Sequence, residues 1–144
     1  MPINDVIIAG DDRRYSTGRE PAPGVHAVDA RTGKILWSAQ LPNVCGDLPL
    51  CKPGVSHAIT AIPGAVIAGF LDGRLRIFSR ENGALLWEKN LLGKHQTVSG
   101  ELATGGAFSG GGVLVANGLL YANAGYAFNN HIPGNALVVL GPAD

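Results

Sequence analysis

Charged residues, long apolar runs and cysteines are all scarce in this chain. Only 15% of its 144 residues are charged, and the 11 basic residues equal the 11 acidic ones, whereas ordinary soluble domains are about 25% charged. No block of like charge is longer than two or three residues, so the basic patch required by nucleic acid or an anionic membrane surface is missing. No apolar stretch approaches the roughly 18–20 residues of a membrane-spanning helix. The partners that remain are small molecules and other proteins.

The N-terminal segment, MPINDVIIAGDD, lacks the charged start and the long apolar core of a secretory signal peptide. By itself this predicts a cytoplasmic chain, and residues preceding Met1 in a longer product would change that prediction. What the sequence does have is 46% apolar residues and 21 glycines. This composition is typical of buried sheets joined by turns.

A repeated motif is the main positive feature. AVDARTGKILW, residues 27–37, returns fifty residues later as IFSRENGALLW, residues 77–87. A period of about 40–50 residues is typical of the four-stranded blades of a β-propeller, so the predicted fold is all-β. The chain has room for about three such blades, whereas a closed ring needs about 4–8. The sequence therefore predicts an incomplete ring.

Turn dipeptides divide the repeats into strands. The middle repeat gives four predicted strands: Ser56–Ile62, Ala65–Leu71, Arg74–Ser79 and Ala84–Lys89. The first repeat gives Val6–Gly10, Gly24–Asp29 and Lys34–Ala39, and the last gives Gly112–Ala116, Leu119–Ala124 and Asn135–Leu140. We therefore expect a partial blade over residues 1–41, a complete blade over 54–91 and a partial blade over 104–144.

Unpaired strand edges at both ends of such a chain would pair with other polypeptide. The simplest account is a C-terminal fragment of a longer protein, whose own N-terminus supplies the missing outer strand. An oligomer that completes the ring is the alternative. In either case the partners are the remaining blades or other chains.

The motif A-x-D-x-x-T-G-K-x-x-W, at residues 27–37, resembles the repeat of pyrroloquinoline-quinone (PQQ) dehydrogenases and their non-catalytic relatives. Residues 51–87 and 97–140 look like the C-terminal blades of the polyvinyl-alcohol-dehydrogenase-like branch. The resemblance implies an eight-bladed, periplasmic or secreted quinoprotein that binds PQQ and Ca²⁺, oxidises alcohol groups and passes electrons to cytochrome c. This chain has no C-x-x-C-H haem motif, and we expect no catalysis from it alone.

Two departures from the family pattern favour a second hypothesis, a non-catalytic propeller that acts as a protein-interaction scaffold. The family's Thr-Val-Asn-Gly is Thr97-Val98-Ser99-Gly100 here. The segment expected to read Gly-Gly-Ser-(Ile/Phe)-Asp is Gly105-Gly106-Ala107-Phe108-Ser109. An amide and a carboxylate are thereby replaced near the mouth of the ring.

Five residues are candidates for cofactor and metal binding. His57 lies on the predicted inner strand, where an imidazole serves as a hydrogen-bond partner or general base, although a strand histidine satisfied by its neighbours is the alternative. The loop with Lys94, Thr97 and Ser99 carries polar groups for a quinone, and Glu101 offers oxygen ligands to Ca²⁺. A solvated loop between blades is equally compatible with these four residues.

The remaining candidates are structural. Cys45 and Cys51 enclose five residues; in an oxidising compartment a disulfide is favoured over free thiols or a metal pair, because the spacing fits no common zinc pattern. Trp37 and Trp87 close the outer strands and are predicted to dock one blade on the next, with cofactor stacking as the alternative. Arg74 and Arg76 are predicted to face solvent.

Overall fold

The computed structural model describes residues 2–5, 23–126 and 129–142. All regular elements within these ranges are β-strands. Their bounds are β1 Pro2–Asp5, β2 Gly24–Val28, β3 Ile35–Gln40, β4 Ser56–His57, β5 Thr60–Ile62, β6 Ala65–Gly69, β7 Arg74–Ser79, β8 Leu85–Asn90, β9 Gly93–Gln96, β10 Leu102–Gly105, β11 Ser109–Gly110, β12 Leu114–Ala116, β13 Leu119–Ala124 and β14 Ala136–Leu140.

Three antiparallel sheets follow one another along the chain. The first sheet has the order β1-β2-β3, the second β5-β6-β7-β8 and the third β12-β13-β14. A hairpin, β9–β10, and a short parallel pair, β4–β11, lie in the connections between sheets. Successive antiparallel sheets of three or four strands are propeller blades, so the predicted fold class is confirmed.

The second sheet is covered on both faces. Val66 and Phe78 are paired across β6 and β7 and pack towards the first sheet, in a core with Val25. Ile67 and Ile77 are also paired, and they pack towards the third sheet. Two apolar cores, one at each joint, therefore hold the three sheets together.

This double burial overturns one prediction. Arg76, predicted to face solvent, is only 1% exposed, and it lies on the side of β7 from which Phe78 packs in the core shared with the first sheet. Its guanidinium donates two hydrogen bonds to Asp72, at 2.7 and 3.1 Å, and one to Glu88 at 2.6 Å. The guanidinium carbon also lies 4.2 Å from the centre of the Phe70 ring. Arg74, by contrast, is partly exposed and contacts Glu88 at 2.5 Å.

Several predicted strands end or begin one or two residues from the observed bounds, and there are three larger differences. The strand predicted over Ser56–Ile62 is divided into β4 and β5, because β4 pairs with β11 while β5 pairs with β6. The hairpin β9–β10 lies where a loop was predicted. The predicted strand Val6–Gly10 lies outside the described residues, and β1 is the strand that pairs with β2.

Trp37 joins the first sheet to the second. Its indole Nε1 donates a hydrogen bond to the carbonyl oxygen of Arg80 at 3.0 Å. The ring also covers Gly83, where an added Cβ would lie 2.5 Å from Trp37 Cε3. Trp87, at the equivalent repeat position, is 37% exposed. One tryptophan therefore docks two blades through a specific turn, and its counterpart is partly open to solvent.

Candidate functional site

The long connections leave the sheets from one end. Because neighbouring strands are antiparallel, the segments 41–55, 91–108, 125–126 and 129–135 all lie at the end where β3, β8 and β13 finish. The opposite end has the short turns at 63–64 and 117–118. Binding residues in rigid folds are concentrated on long loops. We call this end the loop face and treat it as the candidate site.

Backbone hydrogen bonds fix these connections to one another. Leu71 N donates to Gly54 O at 2.9 Å, Phe108 N to Phe70 O at 3.1 Å, and Ala107 N to Ile132 O at 2.9 Å. Each bond joins a different pair of segments. The loop face is therefore held as a connected framework, because its backbone groups are paired across sheets as well as within them.

The inner strands meet beside His57. In the parallel pair, Ser56 lies opposite Ser109 and His57 opposite Gly110. The His57 ring packs edge-on against Phe108, with the ring centres 5.5 Å apart, and the residue is 1% exposed. Burial lowers the His57 pKa from 6.5 to about 4. His57 is therefore neutral at pH 7 and covered by its neighbours.

The hairpin β9–β10 positions the other four candidates. The Thr97 and Ser99 hydroxyl oxygens are 2.9 Å apart, and Thr97 Oγ1 donates to Glu101 O at 3.0 Å. Lys94, Ser99 and Glu101 are exposed on this hairpin. The structure thus brings Thr97, Ser99 and Glu101 together at one turn and places His57 in a separate strand pair.

These residues do not by themselves form a cofactor cavity. The Thr97 and Ser99 hydroxyls contact one another on an open hairpin, and His57 is covered by Phe108. In the described part of the chain, no three His, Cys, Asp or Glu side chains gather where a metal ion could bind. PQQ, a tricyclic quinone with three carboxylates, needs additional protein segments to enclose it. Ca²⁺ needs more oxygen ligands than the Glu101 carboxylate provides.

The predicted disulfide is present on the loop face. Cys45 and Cys51 are bonded, with Cα atoms 5.5 Å apart. Within the loop, Leu48 N donates to Cys45 O and Cys51 N donates to Leu48 O. The leucines Leu48 and Leu50 remain exposed. The disulfide therefore holds a compact loop with apolar side chains on its surface.

His131 is a site residue that the sequence analysis did not single out. It is buried in the segment 129–135, and its Nδ1 has no hydrogen-bond partner among the described residues. Burial lowers the His131 pKa, and the positive charge of Lys52 lowers it further. Lys52 directly follows the disulfide. No spacing in the sequence signals this relation, because it depends on two loops that meet only in the folded chain.

The three successive antiparallel sheets, of three, four and three strands, are blades of the β-propeller type. A family profile described as "Outer membrane protein assembly factor BamB", a PQQ-repeat family, matches residues 4–132. The chain belongs to this PQQ-repeat family. The resemblance inferred from the repeat is thereby confirmed. Among the described residues, no helix is long and apolar enough to cross a membrane.

Curated relatives are polyvinylalcohol dehydrogenases and other alcohol dehydrogenases, one of which is named a quinoprotein alcohol dehydrogenase. The chain is 42% identical over 128 residues to a polyvinylalcohol dehydrogenase of Pseudomonas sp, a match that covers 87% of this chain and 19% of the relative. It is 37% identical over 109 residues to the polyvinylalcohol dehydrogenase of Sphingopyxis sp. (strain 113P3), covering 73% and 17%. A 1-butanol dehydrogenase (cytochrome c) of Thauera butanivorans is 36% identical over 81 residues, covering 53% and 12%. The chain thus spans less than a fifth of the length of each of these relatives.

Proposed function

We propose that this chain forms blades of a PQQ-dependent alcohol dehydrogenase that passes electrons to cytochrome c. The observation that carries this proposal is the 42% identity to a polyvinylalcohol dehydrogenase, which extends over 128 residues. The name of the Thauera relative, a cytochrome c-linked butanol dehydrogenase, supports the electron acceptor. When bound, PQQ supplies the oxidising power, since a quinone accepts the two electrons and two protons that an alcohol loses as it becomes a carbonyl compound.

In this proposal the chain is part of a larger wall. Its blades are residues 1–41, 54–91 and 104–144, and the remaining blades come from other polypeptide. The loop face contributes polar groups through Lys94, Thr97 and Ser99, and Glu101 contributes an oxygen ligand to Ca²⁺ shared with other segments. His57 lies behind the site and supports it by packing, since it is buried and neutral. The chain alone is therefore expected to be inactive.

We also propose that the protein is located in the periplasm or is secreted. The Cys45–Cys51 disulfide supports this location, because disulfides persist in oxidising compartments and are rare in the cytosol. The family description, which names an outer membrane assembly factor, is consistent with the same compartment.

A non-catalytic scaffold is the second candidate. Ser99 and Ser109 replace the amide and carboxylate expected from the family pattern, and Ser109 donates its hydroxyl hydrogen to Tyr126 O. The loop face also exposes Val98, Leu102 and Tyr126. Exposed apolar groups on rigid loops are typical of protein-binding surfaces.

Cofactor retention separates the two candidates. The protein should be isolated from its source, loaded with PQQ and Ca²⁺, dialysed and examined for bound quinone and alcohol-dependent dye reduction. The dehydrogenase proposal expects retention that Lys94→Met weakens. The control Lys89→Met removes an exposed lysine from the outer strand β8 and should have no effect. Absence of quinone binding, together with a stable protein partner in a pulldown, would establish the scaffold instead.

A further inference from the structure

The sequence contains two Asn-Gly dipeptides, and the fold restrains them differently. Asn82-Gly83 is part of the turn between β7 and β8, and Asn117-Gly118 is the whole turn between β12 and β13. An Asn-Gly dipeptide is chemically reactive, because the backbone nitrogen of the glycine attacks the side-chain amide carbon of the asparagine and glycine has no Cβ to obstruct the approach. The rate of this attack depends on how freely the nitrogen and the amide can meet.

The nitrogen of Gly83 is held away from its asparagine. Gly83 N donates to Ser79 O at 2.9 Å, and Asn82 Oδ1 accepts a hydrogen bond from Ala84 N at 3.0 Å. Gly83 is also buried, with the Trp37 ring over it. Attack at this dipeptide therefore requires both hydrogen bonds to break and the glycine to move against the indole.

The Asn117-Gly118 turn has no such restraints. Both residues have positive φ, at 51° and 75°, as in the type I′ hairpin turn that Asn-Gly favours. The strand pairing ends at Ala116 and Leu119, and no described residue hydrogen-bonds to Gly118 N or to the Asn117 side chain. Asn117 and Gly118 are exposed, and a Cβ added at Gly118 would meet nothing within 4 Å. Water therefore reaches the nitrogen, and the asparagine side chain has space to fold onto it.

The exposure of this turn does not depend on what lies beside the third sheet. Pro63-Gly64 is the equivalent turn of the second sheet, since it joins β5 to β6 as Asn117-Gly118 joins β12 to β13. The second sheet is covered on both faces, and Pro63 and Gly64 are nevertheless exposed. A neighbouring sheet on the third one would therefore leave Asn117 accessible to solvent.

We propose that Asn117 is a modification site, at which the protein deamidates through a cyclic imide. Gly118 N loses its proton and forms a bond to Asn117 Cγ, and the side-chain amide nitrogen takes up a proton and leaves as ammonia. One water molecule then adds to either carbonyl carbon of the imide and opens it to aspartate or isoaspartate. The product has one more negative charge than the original chain, in which 11 acidic residues balance 11 basic ones. This chemistry is independent of quinone binding.

Timed incubation of the folded protein at mildly alkaline pH tests the proposal. Peptides that contain Asn82 and Asn117 are analysed by mass spectrometry for conversion of the amide to a carboxylate. Isoaspartate is measured by methyl transfer from S-adenosylmethionine with an isoaspartyl methyltransferase. A parallel incubation in urea gives the rate for each dipeptide without the fold. Asn117→Gln blocks the reaction, because the longer side chain closes the ring poorly, and Asn82→Gln is its matched control.

We expect Asn117 in the folded protein to deamidate at least about tenfold faster than Asn82, because only Gly83 must give up a buried hydrogen bond first. In urea the two rates should become similar. Asn117→Gln should remove the acidic species that accumulates, and Asn82→Gln should leave it unchanged. Equal rates in the folded protein, or a faster rate at Asn82, would overturn the proposal. A rate at Asn117 that folding lowers as much as it lowers the rate at Asn82 would also overturn it, because the hairpin would then block the attack.

Discussion

The Trp37 joint makes a quantitative prediction about how blades are held together. Gly33 and Gly83 occupy the same turn position in neighbouring repeats, and both have positive φ, at 71° and 73°. A Cβ added at Gly33 would meet nothing within 4 Å, whereas one at Gly83 would lie 2.5 Å from Trp37 Cε3. Gly33→Ala therefore measures the backbone cost alone, and Gly83→Ala measures that cost plus the displacement of Trp37.

The two costs can be estimated separately. An alanine forced into the left-handed region costs about 1–2 kcal/mol, which is the expected destabilisation for Gly33→Ala. Gly83→Ala adds about 1–3 kcal/mol for overpacking against the indole. Loss of the hydrogen bond from Trp37 Nε1 to Arg80 O adds about 1 kcal/mol. We therefore expect Gly83→Ala to be more destabilising than Gly33→Ala by roughly 2–4 kcal/mol.

Urea unfolding followed by tryptophan fluorescence measures both variants. The double variant Gly83→Ala with Trp37→Ala is the decisive control, because without the indole the excess cost of Gly83→Ala over Gly33→Ala should disappear. If Gly83→Ala and Gly33→Ala are equally destabilised while Trp37 is present, the indole does not dock on this turn and the account of the joint is wrong.

Three further predictions concern the Arg76 ion pairs, His57 and the disulfide. In urea unfolding, Arg76→Met should cost about 3–5 kcal/mol because it leaves a buried carboxylate without its partner, whereas Arg74→Met on the same strand removes a partly exposed pair that is worth roughly 0–1 kcal/mol; equal costs would contradict the difference in burial. Burial lowers the His57 pKa from 6.5 to about 4, so as the pH falls the unfolded chain binds a proton at His57 before the folded chain does. The stabilisation from neutral His57 should therefore be fully present above pH 6.5 and be lost as the pH falls towards 4. A thermal-unfolding series against pH should lose that dependence in His57→Gln, and an unchanged series would refute the assignment. Reduction of the Cys45–Cys51 disulfide should lower stability by roughly 2 kcal/mol, as expected for a short closed loop, and an unaltered unfolding midpoint in dithiothreitol would show that the loop holds its form without the bond.

Acid stability has a second contribution, from Glu88. Burial acts to raise the Glu88 pKa, but the hydrogen bond and charge of Arg76, joined by Arg74, outweigh it and hold the pKa below its ordinary value of 4.5. This stabilisation is present above pH 4.5 and is lost as the pH falls through the lower, folded-state pKa. The loss of stability attributed to His57 begins at higher pH, so the contributions of His57 and Glu88 can be distinguished in one series of unfolding measurements against pH.

Local chemistry made several elements predictable. The dipeptides Pro63-Gly64 and Asn117-Gly118 mark tight turns in the sequence, and in the structure a strand ends directly before each dipeptide and the next strand begins directly after it. The strand Leu119–Ala124 was predicted with the bounds that it has. These features depend on the conformations that a few adjacent residues adopt, so a single sequence is sufficient to identify them.

Burial was not predictable in the same way. Arg76 was predicted to face solvent, but it is buried on the side of β7 from which Phe78 packs in the core shared with the first sheet. The hairpin β9–β10 was missed because its residues are polar and its strands are short. The charge of Lys52, on another loop, helps to lower the pKa of His131, a relation that no sequence spacing contains.

The sequence alone determined the repeat, the all-β blade architecture and the family, because these depend on turn residues and apolar periodicity within each fifty-residue unit. Only the tertiary structure decided which of the chemically suitable residues lie together, since that depends on how one sheet packs on the next. It separated His57 from the hairpin residues and buried Arg76 in an ion-paired network. It also left Leu137 of the third sheet exposed, whereas Leu75, at the same register position of the second sheet, is buried against the third sheet.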